Sequence, residues 1–294
     1  MDSRKNNMND QSIVITGATS GIGLAVAEKT ASLGANIIGV GRDDGRIASA
    51  VQIVGERASG GKIAFLKSDL SDQNEVRQLA QQIKRNLEEW NIDHLDRLVL
   101  DAGTVPFWQE ITPEGFDKQW AVNYFSGFLL AHLLEGLLER SESARIISVS
   151  SGSHYHSRLN WDDLQLFENY NPLKVYKHTK LAQVVFTAEY NRRDHKKADI
   201  HAFAADPGLV KTDIGMKGKS RFMNMVWKIR RRAGVSPEKA AEGIVFLLSE
   251  PGIQSSKEIY WKKCKPIAPN PLALDQSIGK RLWEISEKLC GIRA

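Results

Sequence analysis

Tyr176 and Lys180 stand four residues apart in Tyr176-Lys177-His178-Thr179-Lys180, so on a helix they project from one face. A phenol is a poor acid or base near neutrality, with a reference pKa of about 10, and a neighbouring cation favours its phenolate. A tyrosine placed in this way can exchange a proton with a substrate oxygen as hydride leaves or joins carbon, while a hydroxyl such as that of Ser151 holds the oxygen. Tyr-x3-Lys by itself also fits an ordinary amphipathic helix.

A second candidate is the turn Thr16-Gly17-Ala18-Thr19-Ser20-Gly21-Ile22-Gly23. It follows a short β-branched run and precedes helical apolar spacing at Leu24, Ala27 and Ala31. Between a strand and a helix, such glycines let the backbone approach a diphosphate, and the helix N–H groups face the anion. The spacing, Gly-x3-Gly-x-Gly, differs from the commoner Gly-x-Gly-x-x-Gly. Many dinucleotide sites carry an acid about 20 residues on, at the end of the second strand, where it binds the ribose hydroxyls. Here that place reads Gly39-Val40-Gly41-Arg42, which accommodates a 2′-phosphate and selects NADP(H). Asp43 and Asp44 follow at once, and either a ribose contact or a solvated turn is open to them.

The elements that must position these groups alternate. Strands are expected at 12–16, 36–40, 62–66, 97–100, 145–149 and 199–204, with a late one at 258–261. Helices are expected at 23–33, 47–57, 73–90, 116–138, 174–191 and 237–249. Strand, helix and strand within about 30 residues make a βαβ unit, so the chain reads as α/β: a doubly wound Rossmann-type parallel sheet with helices on both faces, in a single domain. No linker or repeat divides it. Residues 1–11 are expected to be a disordered tail and 12–294 the domain. The stretches 153–172 and 211–236 follow strands and fall at the carboxyl edge, where open sheets of this kind bind ligands.

Composition narrows the class. Forty Lys and Arg against 35 Asp and Glu give a formal charge of +5, which favours anionic ligands but is too mild for a nucleic-acid module. The two cysteines, Cys264 and Cys290, have no CxxC partner or zinc-ligand spacing, so no metal is expected. No run approaches the roughly 20 apolar residues of a membrane span, and the polar first residues lack a signal-peptide core. A cytoplasmic enzyme is the expectation.

The glycine turn, the Tyr176 and Lys180 pair, and Ile147-Ser148-Val149-Ser150-Ser151 together resemble the short-chain dehydrogenase/reductase family, from residue 12 to the C-terminus. The resemblance implies an active site of Asn123, Ser151, Tyr176 and Lys180, with Ser150 as the alternative serine. Tyr176 and Lys180 are then expected to bind the cofactor as well, Lys180 at the nicotinamide ribose, and Asn123 to fix the backbone and the water through which Lys180 reaches solvent. The resemblance also implies that Gly17, Thr19, Ser20, Gly21, Ile22 and Gly23 hold the cofactor phosphates. It assigns Asp69 and Leu70 to the adenine, Ala102 and Gly103 to the ribose side, and Pro207, Gly208, Val210 and Thr212 to the nicotinamide. One departure stands out: the family's Asn-Asn-Ala-Gly is here Leu100-Asp101-Ala102-Gly103, and an ionised Asp cannot donate as an amide does.

Within the family, the wide gap from Ser151 to Tyr176, the run Lys180-Leu181-Ala182-Gln183-Val184-Val185-Phe186-Thr187 and the tail Arg281-Leu282-Trp283-Glu284-Ile285-Ser286 resemble the retinol dehydrogenase and WW-domain oxidoreductase group. A hydrophobic carbonyl or alcohol is the implied substrate. His154-x-His156 is expected as a substrate-lining or solvated pair. The cationic and apolar segment 221–232 is expected as part of a substrate lid (211–236), with a peripheral membrane contact as the alternative. Trp283 and Leu289 are expected as core contacts or as subunit contacts in a homo-oligomer. Two rivals remain: a non-catalytic NADP(H)-binding regulator, and a basic surface module centred on 221–232.

Overall fold

A computed structural model describes residues 7–193, 199–211 and 234–292. One eight-stranded sheet runs through it in the order β3-β2-β1-β4-β5-β6-β7-β8. All neighbours are parallel except the last pair. The strands are β1 (Ser12–Thr16), β2 (Asn36–Gly41), β3 (Ile63–Lys67), β4 (Arg97–Leu100), β5 (Ala144–Val149), β6 (Ile200–Asp206), β7 (Tyr260–Lys262) and β8 (Lys265–Pro266). β1 is buried along its whole length, and its side chains divide by the two-residue period of a strand. Val14 joins the core on one face, and Ile13 and Ile15 that on the other. A strand covered on both faces needs this unbroken apolar run, which is why its sequence does not alternate.

One face carries α1 (Gly21–Ala31), α2 (Asp44–Arg57) and α8 (Pro237–Ser249), whose Val26, Val54 and Ile244 share the second core. The opposite face carries α3 (Gln73–Glu89), α7 (Pro172–Tyr190) and the C-terminal α9 (Gln276–Leu289), with a broken helical run between β4 and β5. Helix α7 is buried on nearly every side from Val175 to Tyr190. The Trp283 ring of α9 stacks on Phe186 at 5.9 Å and meets Phe128 edge-on at 5.0 Å. Trp283 is thus a core residue, and Leu289 packs partly buried against the same core.

Three expectations change. The helix expected at 116–138 is divided into α4 (Lys118–Trp120), a π turn at Ala121–Phe125, α5 (Ser126–Leu133) and α6 (Glu135–Leu138). The wide turn has carbonyls claimed from the side: Gln183 Nε2 donates to the Asn123 carbonyl at 2.7 Å and Ser126 Oγ to that of Val122 at 2.8 Å. The tail expected at 1–11 is ordered at least from Asn7. Met8 is buried in the core and its N–H donates to the Leu33 carbonyl at 2.9 Å. The late strand begins at Tyr260, two residues after its expected start, and turns back into β8 through Lys263 and Cys264, both at positive φ.

Candidate active site

The carboxyl ends of β1 and β4 are joined by one hydroxyl. Thr16 Oγ1 donates to the Val99 carbonyl at 3.2 Å and accepts the N–H groups of Asp101 and Ala102, each at 3.1 Å. Gly17 follows at φ +72°, and a Cβ there would lie 3.1 Å from the Ala102 backbone. A Cβ on Gly23 would sit 2.5 Å from the Gly17 carbonyl. Both glycines are therefore required by close backbone approach, which brings the first turn of α1 against the loop after β4. The Ser20 side chain does not cap α1 and the first turn holds no acid of its own, so its N–H groups other than that of Gly23, with the helix dipole, are suited to an anion.

Beside this turn lies a cavity of about 170 Å³. Gly17, Thr19, Ser20, Arg42, Asp69, Leu70, Ala102 and Gly103 line it, together with Thr104, Lys118 and Val122, which no local sequence signal marks. Gly21, Ile22 and Gly23 form the adjoining first turn of α1. Arg42, about half exposed, meets Asp69 at 3.5 Å. Burial would raise the Asp69 pKa, but the Ser71 N–H and hydroxyl, with Arg42, hold it below the usual carboxylate value. Asp43 accepts the Arg46 N–H at 2.9 Å as the cap of α2, and Asp44 bonds Lys67 at 2.6 Å. Both acids after Arg42 therefore have structural partners. The cavity, the glycine approach and the uncapped helix start fit a dinucleotide diphosphate.

A second set of groups meets at the ends of β5 and α7. Lys180 is buried, and its Nζ donates to the Val149 carbonyl at 2.8 Å and to Gln183 Oε1 at 3.0 Å. The same Nζ lies 5.5 Å from the centre of the Tyr176 ring. Asn123 clasps the loop after β4, accepting the Thr104 N–H at 2.7 Å and donating to the Thr104 carbonyl at 3.1 Å. Its amide also donates to Thr179 Oγ1 at 3.2 Å, and that hydroxyl donates to the Tyr176 carbonyl at 2.9 Å. Asn123, Tyr176 and Lys180 thus belong to one connected network. Ser150 is buried with its hydroxyl donating to the Lys180 carbonyl at 2.9 Å. Ser151 is only half-buried and accepts the Ser153 N–H at 3.2 Å.

Asp101 joins the two sets. Its carboxylate accepts the Gly23 N–H of α1, so the acid serves where only an acceptor is needed. Burial pushes its pKa up to about 7 against the opposing pull of the Lys180 charge and the Gly23 N–H. Burial likewise brings Lys180 down to about 8, with the Asp101 charge acting in the other direction.

Beyond β6, Pro207 and Gly208 line a larger cavity of about 530 Å³. The Gly208 N–H donates to Asp206 Oδ1 at 2.8 Å, and Val210 bridges Val235 in parallel. Thr212, the segment 221–232 and most of the expected 211–236 lid lie outside the described residues. The expectation for the histidine pair is corrected at His154. That ring is fully buried, with Nδ1 2.8 Å from the Ser151 carbonyl and Nε2 accepting the Asn270 N–H at 3.1 Å. It fastens the loop after Ser151 to the chain before α9, a partner 116 residues away that no local pattern indicates. Only His156 is exposed. Gln183 is the group that sequence reading passed over, although its place one turn beyond Lys180 on α7 was the available signal.

The chain belongs to the short-chain dehydrogenase family, whose model matches residues 11–221, and is an oxidoreductase of that family. Within it, the chain is similar to retinol dehydrogenase 14 of Homo sapiens, at 32% identity over 97% of this chain and 88% of the relative. It is also similar to polyprenol dehydrogenase of Homo sapiens, at 28% identity over 96% and 86% of the two chains. The fold matches that of a short chain dehydrogenase from Burkholderia cenocepacia solved with NADP, with a TM-score of 0.68 and 19% identity, covering 87% of this chain and 97% of the other. Among the described residues no helix is long and apolar enough to cross a membrane.

Proposed function

We propose that the protein transfers a hydride between NADP(H) and a carbonyl or alcohol carbon of a hydrophobic small molecule, with Tyr176 exchanging the proton. The observation that carries this reading is the Lys180 network: a buried cation held between the end of β5 and the Asn123 turn, beside the Tyr176 ring. The bound nicotinamide supplies or accepts the hydride. The chain's own groups do the rest. Lys180 lowers the cost of charge on the Tyr176 oxygen, and Tyr176 gives its proton to the substrate oxygen in reduction or takes it in oxidation. Ser151 is favoured over Ser150 to hold that oxygen, because the Ser150 hydroxyl is already bonded within the helix packing.

The same reading places the diphosphate on Gly17, Thr19, Ser20, Gly21, Ile22 and Gly23, and the 2′-phosphate against Arg42. NADP(H) is favoured because Asp43 and Asp44, the acids that would otherwise face a ribose, are engaged elsewhere. Asp69 and Leu70 are assigned to the adenine, Ala102 and Gly103 to the ribose side, and Pro207, Gly208, Val210 and Thr212 to the nicotinamide. The apolar substrate class is supported by the names of the relatives, since retinol and polyprenols are both long apolar alcohols.

A spectrophotometric screen tests the reading. NADPH and NADH are each offered with apolar aldehydes, ketones and quinones, and NADP⁺ with long-chain alcohols. Consumption of NADPH by apolar carbonyls is expected. Tight NADPH binding with no turnover of any of them would favour a regulatory cofactor-binding protein instead.

A further inference from the structure

Gln183 lies one turn beyond Lys180 on α7 and is 4% exposed. Its amide is fixed in one sense. A lysine ammonium only donates and a backbone carbonyl only accepts, so the amide oxygen must face Lys180 and the nitrogen must face Asn123. Both bonds are made, at 3.0 Å and 2.7 Å. The π turn at Ala121–Phe125 presents the Asn123 carbonyl sideways to receive the second. The link between Asn123 and Lys180 is therefore made by a side chain of α7.

We propose that Gln183 is a positioning residue of the hydride-transfer site: its amide, held between the Asn123 carbonyl and Lys180, keeps the lysine in place and in its ammonium form beside Tyr176. The proposal rests on the reaction given above. The two neutral contacts on Nζ, Val149 O and Gln183 Oε1, are both acceptors, and acceptors around an amine favour its charged form against desolvation. Among the described residues, the titratable groups facing Lys180 are Asp101 from the end of β4 and Tyr176 from α7 itself. β5 and the π turn offer neutral groups, the Val149 carbonyl and, through Gln183, Asn123. Removing the Gln183 oxygen should therefore move Lys180 toward the neutral amine. With less charge beside it, Tyr176 should hold its proton to higher pH.

The test reads the lysine directly. Protein labelled with 13Cε-lysine is titrated by NMR, with the Lys180 signal assigned through Lys180→Met. Gln183→Met keeps the length of the side chain but removes both bonds, and should lower the Lys180 midpoint by at least about half a pH unit. The alcohol-oxidation limb of its kcat profile should move to higher pH. Gln183→Glu offers Lys180 an acceptor in either protonation state and should hold the midpoint at or above that of the unaltered protein. If Gln183→Met does not fold, Gln183→Asn, too short to reach both partners, takes its place. An unchanged midpoint in a folded variant with normal NADPH oxidation overturns the positioning role alone. A lowered midpoint in a protein that turns over no carbonyl overturns the proposal through the reaction on which it rests.

Discussion

Asp101 faces Lys180 across the carboxyl edge of the sheet, and each is shifted toward its neutral form by burial while the charge of the other opposes the shift. The acid stands where the family pattern leads one to expect an amide. It joins the glycine turn to the Lys180 network because its carboxylate also accepts the Gly23 N–H.

Asp101 should leave a mark on the pH dependence of stability. Its native pKa, about 7, lies above the unfolded value of about 4. Between these values the native state binds more protons than the unfolded chain, so this contribution to stability is full below about pH 4 and is lost as the pH rises through 7. Asp101→Asn cannot titrate. The Tm of the unaltered protein relative to the variant should therefore fall steadily from pH 4 to 7, and parallel Tm profiles would refute the assignment.

Much of this fold is legible because its central strands are covered on both faces. A short apolar run such as 13–15 or 98–100 then carries a strong signal, and Pro237–Ser249 is legible from the Pro at its start and its apolar spacing. The hairpin between β7 and β8 is not, since Lys263 and Cys264 occupy positions that Asn-Gly would ordinarily mark. Met8 and His154 are hidden for another reason: a single buried side chain among polar neighbours makes no periodic pattern. The site divides in the same way. Tyr176, Lys180 and the glycines are set by spacing within one element, whereas Asp101, Gln183 and Asn123 acquire their roles through contacts between elements.

Arg42 should decide between cofactors. Its guanidinium lines the glycine-turn cavity with, among the described residues, Asp69 as its ionic partner. A phosphate on the ribose would gain a charge-assisted bond worth roughly 1.5–3 kcal/mol. Arg42→Ala should weaken NADPH by about 10-fold or more and leave NADH nearly unchanged, as measured by fluorescence titration. Equal losses for the two cofactors would remove Arg42 from the selection.

The opposite end of the sheet should be sensitive for a purely structural reason. Arg97 is buried, with Nε donating to the Leu248 carbonyl at 2.9 Å and another nitrogen reaching the Asp96 and Ser143 carbonyls at 2.9 and 2.6 Å. It thus holds the last turn of α8 against β4 and β5. Burial brings its pKa down to about 10. Arg97→Ala orphans the Leu248 and Ser143 carbonyls, while that of Asp96 keeps the Arg145 N–H at 2.9 Å, and should cost about 2–4 kcal/mol in urea unfolding. Cofactor affinity at the far edge should survive, and an unchanged midpoint would show that the guanidinium contributes nothing net.

The central claim is that Tyr176 exchanges the proton, and the most direct measurement is single-turnover and steady-state reduction of the best carbonyl substrate by Tyr176→Phe. The substitution removes one hydroxyl and little volume, so Tm and NADPH affinity should stay close to those of the unaltered protein. General acid catalysis contributes typically about 10²–10⁴-fold, and kcat should fall by at least the lower of these. A folded, NADPH-binding Tyr176→Phe protein that reduces its substrate at the original rate would contradict the account.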